Sequence, residues 1–376
     1  MISWSSPILG EFSVRKRLLL PLLLEFGLAL LAIVVAAAIF TNTVEILGGR
    51  LNLGDGAVGS VLAAVGTALP ETMIPIVAVL AAVFAGRNPD TATEIGIGAI
   101  LGAPFMLATL AMFVVGISAL AFRKRRAQGV EIRCGEANAE DFPWCKTPGK
   151  SVSIDADTIA RDIGFFMIFF AVAATVGVLE LLFSLKVVLA LLLIAAYALY
   201  VWRTLSSGAD LEEVPDRLTL WRFRSRAPSW AVVGQGLLSL LLMIIGAELF
   251  VDAVERGAEV VGLPVGLVAL VLAPLATELP EKLNSVIWIR DGKDTLALGN
   301  VTGAMVFQST VPVTFGVLFT RWELGPLNIF SVVLALLSGS FIYVMLRRAG
   351  TLQAWQLMIG GLFYLVFLMG GGEDGA

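Results

Sequence analysis

The chain of 376 residues contains no histidine. That absence excludes Ser-His-Asp and Cys-His catalysis, histidine-ligated zinc and histidine proton relays together. Cysteine is almost missing as well, with Cys134 and Cys145 alone in a polar loop. Two thiols without histidine cannot close a four-ligand zinc site, and their spacing fits no redox motif, so they read as free thiols. Charge is scarce, because 15% of residues are Asp, Glu, Lys or Arg, against about 25% in soluble domains. A phosphate-binding loop is lacking too. Thr147-Pro-Gly-Lys-Ser151 ends like one, but Trp144 holds the place of its first glycine, so the motif is absent. Uphill work therefore has to come from an ion gradient. The first apolar run, Leu18–Phe40, is too long for a signal-peptide core and reads as a membrane span.

What the chain does have is apolar surface. Hydrophobic residues make up 58%, and the mean hydropathy is +0.89. A soluble core cannot absorb this much, so the excess faces lipid. The runs are long and continuous rather than alternating, which excludes a β-barrel and leaves helices. The expected fold is all-α: a polytopic membrane protein with ten helices near 18–46, 57–86, 94–122, 163–183, 186–204, 230–260, 263–290, 295–320, 327–346 and 353–371. Two charged loops, 123–162 and 205–229, interrupt the apolar pattern. Loops after odd-numbered helices hold most of the basic residues, including Arg123–Arg126, Arg222, Arg224, Arg226, Arg347 and Arg348. The positive-inside rule puts them in the cytoplasm and both termini outside, although Arg15, Lys16 and Arg17 oppose that orientation.

The sequence repeats. Aligning Pro70-Glu71 with Pro280-Glu281 sets Val65-Gly-Thr-Ala-Leu-Pro-Glu71 over Leu275-Ala-Thr-Glu-Leu-Pro-Glu281. Upstream, Phe40 meets Phe250 and Glu45 meets Glu255. Downstream, after an insertion near Gly86-Arg-Asn-Pro-Asp90, Gly98-Ala-Ile-Leu-Gly102-Ala103 falls on Gly299-Asn-Val-Thr-Gly303-Ala304. The chain therefore divides into a first five-helix repeat (1–204, with loop 123–162), a linker (205–229) and a second repeat (230–376). Five is odd, so the halves are inverted, an arrangement suited to alternating access. The matching residues are polar as well as apolar, which a duplicated scaffold does not require.

The repeated segments concentrate the chemistry. A carboxylate at the centre of a membrane helix costs about 2.5–3.5 kcal/mol on insertion scales. Glu71 and Glu281 each lie deep in a predicted span, after a proline that removes an N–H and displaces a carbonyl one turn earlier. Thr67 and Thr277 stand one turn before them on the same face. Carboxylate, carbonyl and hydroxyl oxygens together suit a Ca²⁺ or Na⁺ site. Glu278 adds a carboxylate, and Asn300 and Gln308 project polar atoms from the eighth helix. A single buried glutamate could equally be a structural hydrogen-bond partner; a pair repeated with its threonine and proline argues for more. Lys282 either reaches toward the interface or pairs with a glutamate as an internal counter-charge, and structural pairing is favoured. Gly98-x-x-x-Gly102 and Gly299-x-x-x-Gly303 offer faces for close helix approach, and Pro104 and Pro312 are expected to bend their helices.

These residues resemble the cation/Ca²⁺ antiporter superfamily, and within it the sodium/calcium exchanger branch. Its repeats look like Gly-Thr-Ser-x-Pro-Glu, followed a helix later by Gly-Asn-x-x-Gly-Ser-Asn-x-x-Asn/Asp. Gly66-Thr67-Ala68-Leu69-Pro70-Glu71 and Ala276-Thr277-Glu278-Leu279-Pro280-Glu281 are similar to the first element. Gly299-Asn300-Val-Thr-Gly303-Ala304-Met305-Val-Phe-Gln308 is similar to the second, as Gly98–Leu107 is more faintly, and Gly246-Ala-Glu-Leu-Phe-Val-Asp-Ala253 resembles the family's Gly-Ala-x-x-Leu-Val-Asp-Gly. The resemblance implies a cation site at the bilayer midplane, with Glu71 and Glu281 as central ligands and Thr67 and Thr277 adding oxygens. Departures at Ala68, Ala103, Leu107 and Ala304 remove oxygens, mostly from the first half. The Gly-Asn-x-x-Glu motif of the Ca²⁺/H⁺ branch is not found.

The expectation is a multi-pass cell-membrane antiporter that exports Ca²⁺ in exchange for Na⁺ by alternating access, not an enzyme. Its metal-site residues are Glu71, Glu281, Thr67, Thr277, Glu278, Gln308 and Asn300. It needs no cofactor and no nucleic acid; its partners are Ca²⁺ or another divalent cation, a Na⁺ or H⁺ counter-ion and the lipid bilayer. An H⁺-coupled divalent-cation antiporter and a passive cation channel are the alternatives.

Overall fold

Helices fill nearly all of the described chain. The computed structural model describes residues 7–50, 69–84, 88–127, 151–152, 154–179, 182–206, 217–221 and 227–370. Its elements are α1 (Pro7–Arg50), α2 (Leu69–Phe84), α3 (Pro89–Met106), α4 (Met112–Ala121), α5 (Ala156–Val178), α6 (Phe183–Ser206), α7 (Ser229–Val261), α8 (Val265–Thr277), α9 (Leu279–Arg290), α10 (Asp294–Gln308), α11 (Val311–Phe319), α12 (Pro326–Ala349) and α13 (Ala354–Gly370). Two short strands, β1 (Ser151–Val152) and β2 (Leu352–Gln353), pair antiparallel.

Local sequence explains several boundaries. The Asn88 side chain accepts from Asp90 N at 2.9 Å, with Pro89 opening α3, the preferred start of a helix. Asp155 does the same for α5, accepting from the N–H groups of Asp157 and Thr158. The fourth helix therefore begins two turns before the expected 163, because its polar first turns hide the apolar period. Loop 123–162 is correspondingly shorter and contains β1. Gly262 (φ 77°) ends α7 and Gly350 (φ 65°) ends α12 in the left-handed conformation that glycine adopts most readily.

Prolines divide the long spans as expected. The span at 263–290 is α8 and α9, interrupted at Glu278 just before Pro280. The span at 295–320 is α10 and α11, broken at Ser309–Thr310 before Pro312. Pro104 lies in α3, and a π-helical turn over Leu107–Ala111 joins α3 to α4. Cys134, Cys145 and Thr67 lie outside the described residues.

The outer surface is apolar, with Leu24, Leu182, Leu191, Leu237 and Met369 among many large side chains left exposed. Such surface marks contact with lipid rather than water. Among the described residues, seven helical stretches, from Pro21–Thr43 to Pro326–Ala349, are long and apolar enough to cross a membrane, and the shorter Glu71–Leu80, Val265–Leu275 and Ala354–Gly370 accompany them. The protein is a mostly helical, polytopic membrane protein.

Inside, three apolar clusters form among the described residues, the smallest around Ile46, Leu218 and Val232. A second joins α1 and α7 to α2, α3 and α8 through Ile33, Ala37, Ile74, Ala99, Phe250 and Ala269. Gly246 lets α7 meet α1, since a Cβ there would lie 2.8 Å from Ile33 Cγ1. At one end of this pair, Gln235 Nε2 donates to Thr43 Oγ1 at 2.9 Å and to Ile39 O at 3.2 Å. The largest cluster fills the space between α3, α4, α5, α10, α12 and α13. Trp322 seals one edge of it. It has φ 48°, is fully buried, donates from Nε1 to Ala173 O at 3.0 Å and stacks where Gly316 has no side chain.

Candidate cation site

The site grows from the helix interruption at Glu278. Pro274 lacks the N–H that would bond Leu270 O, and Pro280 the one that would bond Ala276 O. Glu281 then falls in the first turn of α9, and Glu71 follows Pro70 in α2. First-turn carboxylates face the positive end of a helix.

Glu71, Thr277, Glu278, Glu281, Lys282 and Gln308 are all buried. Among the described residues, both carboxylate oxygens of Glu71, Oε1 of Glu278 and Oε2 of Glu281 are buried without a hydrogen-bond partner. Burying a carboxylate unpaired is costly, so these oxygens are poised for a cation or a proton. Glu71 lies within electrostatic range of Glu281, Glu278 and Lys282. Glu281 likewise senses Glu278 and Lys282.

Lys282 is not free to reach outward. Its Nζ donates to Glu278 Oε2 at 2.9 Å and to Pro274 O at 3.5 Å, which is the structural pairing favoured from the sequence. Thr277 is buried beside it, its hydroxyl donating to Ala273 O at 3.0 Å, which leaves the oxygen lone pairs available. Asn300 Nδ2 donates to Glu281 O at 3.5 Å, tying α10 to α9. Gln308 is buried at the far end of α10. Among the described residues no three acidic or cysteine side chains form a metal cage by themselves. Any cation held by these carboxylates would have to complete its shell from neutral oxygens, as hard cations commonly do.

The glycine motifs behave differently in the two halves. A Cβ on Gly98 would lie 2.6 Å from Gly266 O, and one on Gly102 2.2 Å from Leu270 O, so α3 packs directly on the α8 backbone. Gly299 meets no described atom within 4 Å, and Gly303 only the Tyr200 hydroxyl at 3.8 Å. The expected close approach is thus present at α3, and at α10 it is not found among the described residues.

Two polar clusters escaped the sequence reading. Arg126, counted there only as a cytoplasmic charge, is buried and bidentate on Asp294, with contacts of 2.5 and 3.2 Å. Asp162 is also buried, accepting from Thr302 Oγ1 at 3.0 Å and lying 3.4 Å from Arg161 Nη2. Asp162 thereby links α5 to α10. Its signal was an acidic residue directly before the apolar run, hidden because loop 123–162 was expected to hold it.

Comparison with known proteins accords with this architecture. The family model for sodium/calcium exchanger proteins matches residues 21–205 and 231–370. The sodium/calcium exchanger MaX1 of Methanosarcina acetivorans is 27% identical over 133 residues, which is 35% of this chain and 38% of that protein's length. Among solved structures, the H⁺/Ca²⁺ exchanger CAX aligns with a TM-score of 0.68 at 19% identity, covering 96% of this chain and 87% of that one. A sodium-calcium exchanger, NCX_Mj, aligns with a TM-score of 0.54 at 18% identity over 93% of this chain and 99% of that one. At these identities the structural likeness speaks for the fold alone. With the family model spanning both halves, the chain belongs to the sodium/calcium exchanger protein family.

Proposed function

We propose that the protein is a secondary active cation antiporter that exports Ca²⁺ in exchange for Na⁺. Ten membrane crossings form two inverted five-helix repeats, 1–204 and 230–376, joined by a cytoplasmic linker, with both termini outside. The cation sits between Glu71 and Glu281, one from each half, with Thr67, Thr277, Asn300 and Gln308 supplying neutral oxygens. Glu278 stands beside it, one oxygen on Lys282 and one available. The observation that carries this reading is the burial of carboxylate oxygens on both Glu71 and Glu281 that have no partner among the described residues.

Coupling follows from charge. Two ionised carboxylates are too costly to carry across the membrane bare, so the loaded states alone change sides. A divalent cation satisfies them in one state and monovalent cations in the other. The α1–α7 pair slides over α2, α3 and α8 to open the site to each face in turn, which inverted repeats permit.

Protons are the second reading for the counter-ion. Ala68, Ala103 and Ala304 stand where the family has serine, and fewer neutral oxygens weaken a Na⁺ site while leaving carboxylates to bind protons. Purified protein in liposomes should take up Ca²⁺ against an imposed Na⁺ or H⁺ gradient, and the gradient that drives uptake identifies the counter-ion. Glu71→Gln and Glu281→Gln should each abolish uptake. Flux indifferent to both gradients would indicate a passive channel, and wild-type flux in both variants would remove these residues from the site.

A further inference from the structure

The Glu278–Lys282 pair has a consequence for how many ions move. Among the described residues, three carboxylates, those of Glu71, Glu278 and Glu281, lie within electrostatic range of one another and of a single ammonium, that of Lys282. Lys282 is buried, and its Nζ is 2.9 Å from Glu278 Oε2. Glutamate four residues before lysine is the favourable order for such a pair on a helix. Buried in a membrane protein, neither partner can leave the other without a large penalty.

We propose that the Lys282 ammonium is a tethered cation that permanently neutralises Glu278, fixing the site at two negative charges and the exchange at one divalent cation for two monovalent cations. This rests on the antiporter reading above. Three carboxylates and one ammonium leave a net charge of about −2. One Ca²⁺ cancels that charge, and so do two Na⁺ or two H⁺. Both loaded states are neutral, so the transport cycle moves no net charge. Without the ammonium the same pocket carries three negative charges and calls for a third monovalent ion. Lys282 is then a specificity-determining residue that sets stoichiometry without touching the transported ion.

The test measures Ca²⁺ accumulation in proteoliposomes whose membrane potential is clamped with K⁺ and valinomycin. Wild-type protein should reach the same accumulation ratio at all potentials. Lys282→Gln should become potential-dependent, because one unbalanced charge per cycle shifts the ratio about fifty-fold per 100 mV, the equivalent of about 2.3 kcal/mol. The double variant Glu278→Gln/Lys282→Gln restores two negative charges and should again ignore potential, which also guards against misfolding of the single variant. Lys282→Arg keeps the fixed charge and should behave as wild type toward potential. Steep potential dependence in wild type, or none in Lys282→Gln with active flux, overturns the proposal while leaving the antiporter reading intact. Wild-type flux that survives Glu71→Gln/Glu281→Gln overturns the antiporter reading itself.

Discussion

Gly102 of α3 faces the carbonyl oxygen of Leu270 in α8 so closely that a Cβ would lie 2.2 Å from it. Pro274 is the reason that carbonyl has no N–H one turn on, and Gly98 repeats the approach at Gly266 O. The wall of the site is thus built by removing atoms from both sides: a side chain from α3 and an amide hydrogen from α8. Gly102→Ala must push the helices apart, at about 1–3 kcal/mol or more, and should impair transport beyond that loss. Gly299→Ala should be nearly neutral. Thermal unfolding in detergent compares them, and equal destabilisation would show that the α3–α8 contact is not special.

Arg126 and Asp294 form a buried bidentate pair that also satisfies Ala119 O and Ser151 O at 3.1 Å each. The pair clamps the end of α4 and strand β1 to the first turn of α10. Arg126→Ala leaves Asp294 buried without its main counter-charge and should cost about 3–5 kcal/mol. Arg126→Lys loses the fork geometry and should recover only part of it. A melting temperature unchanged in Arg126→Ala would contradict this role.

Asp155 caps α5 from outside the membrane span. Partial burial pushes its carboxyl upward, but hydrogen bonds from Thr158 and Asp157 and the charge of Arg161 outweigh this and hold it below its ordinary value. A carboxyl lowered by folding stabilises fully above the unfolded value of about 3.9 and loses that contribution as pH falls through the folded value. Asp155→Ala should cost about 1 kcal/mol at neutral pH. The difference from wild type should shrink below about pH 4, and a gap that widens in acid would contradict the assignment.

Much of this was legible from residue order alone. Pro280-Glu281 announced both the interruption and the buried acid, because proline acts on its own backbone whatever surrounds it. That Lys282 pairs with a glutamate was legible as the favoured alternative, but that the partner is Glu278 emerges only from the structure. The start of α5 was not, since the cap at Asp155 works through side-chain hydrogen bonds that apolar periodicity does not register. Arg126–Asp294 was hidden for another reason: its partners are far apart in sequence, and a charge in a basic loop looks solvated until packing buries it. The unequal glycine faces were equally unreadable, because the sequence shows Gly98-x-x-x-Gly102 and Gly299-x-x-x-Gly303 as equivalents, and only packing shows what each one meets.

The central claim is that Glu71 and Glu281 bind one cation jointly, and calorimetric Ca²⁺ titration of purified wild type, Glu71→Gln, Glu281→Gln and the double variant tests it most directly. Joint ligation predicts that each single variant weakens binding at least about tenfold, about 1.4 kcal/mol, and that the double variant loses far less than the sum of the two. Two independent, additive losses, or undiminished Ca²⁺ affinity in either single variant, would contradict it.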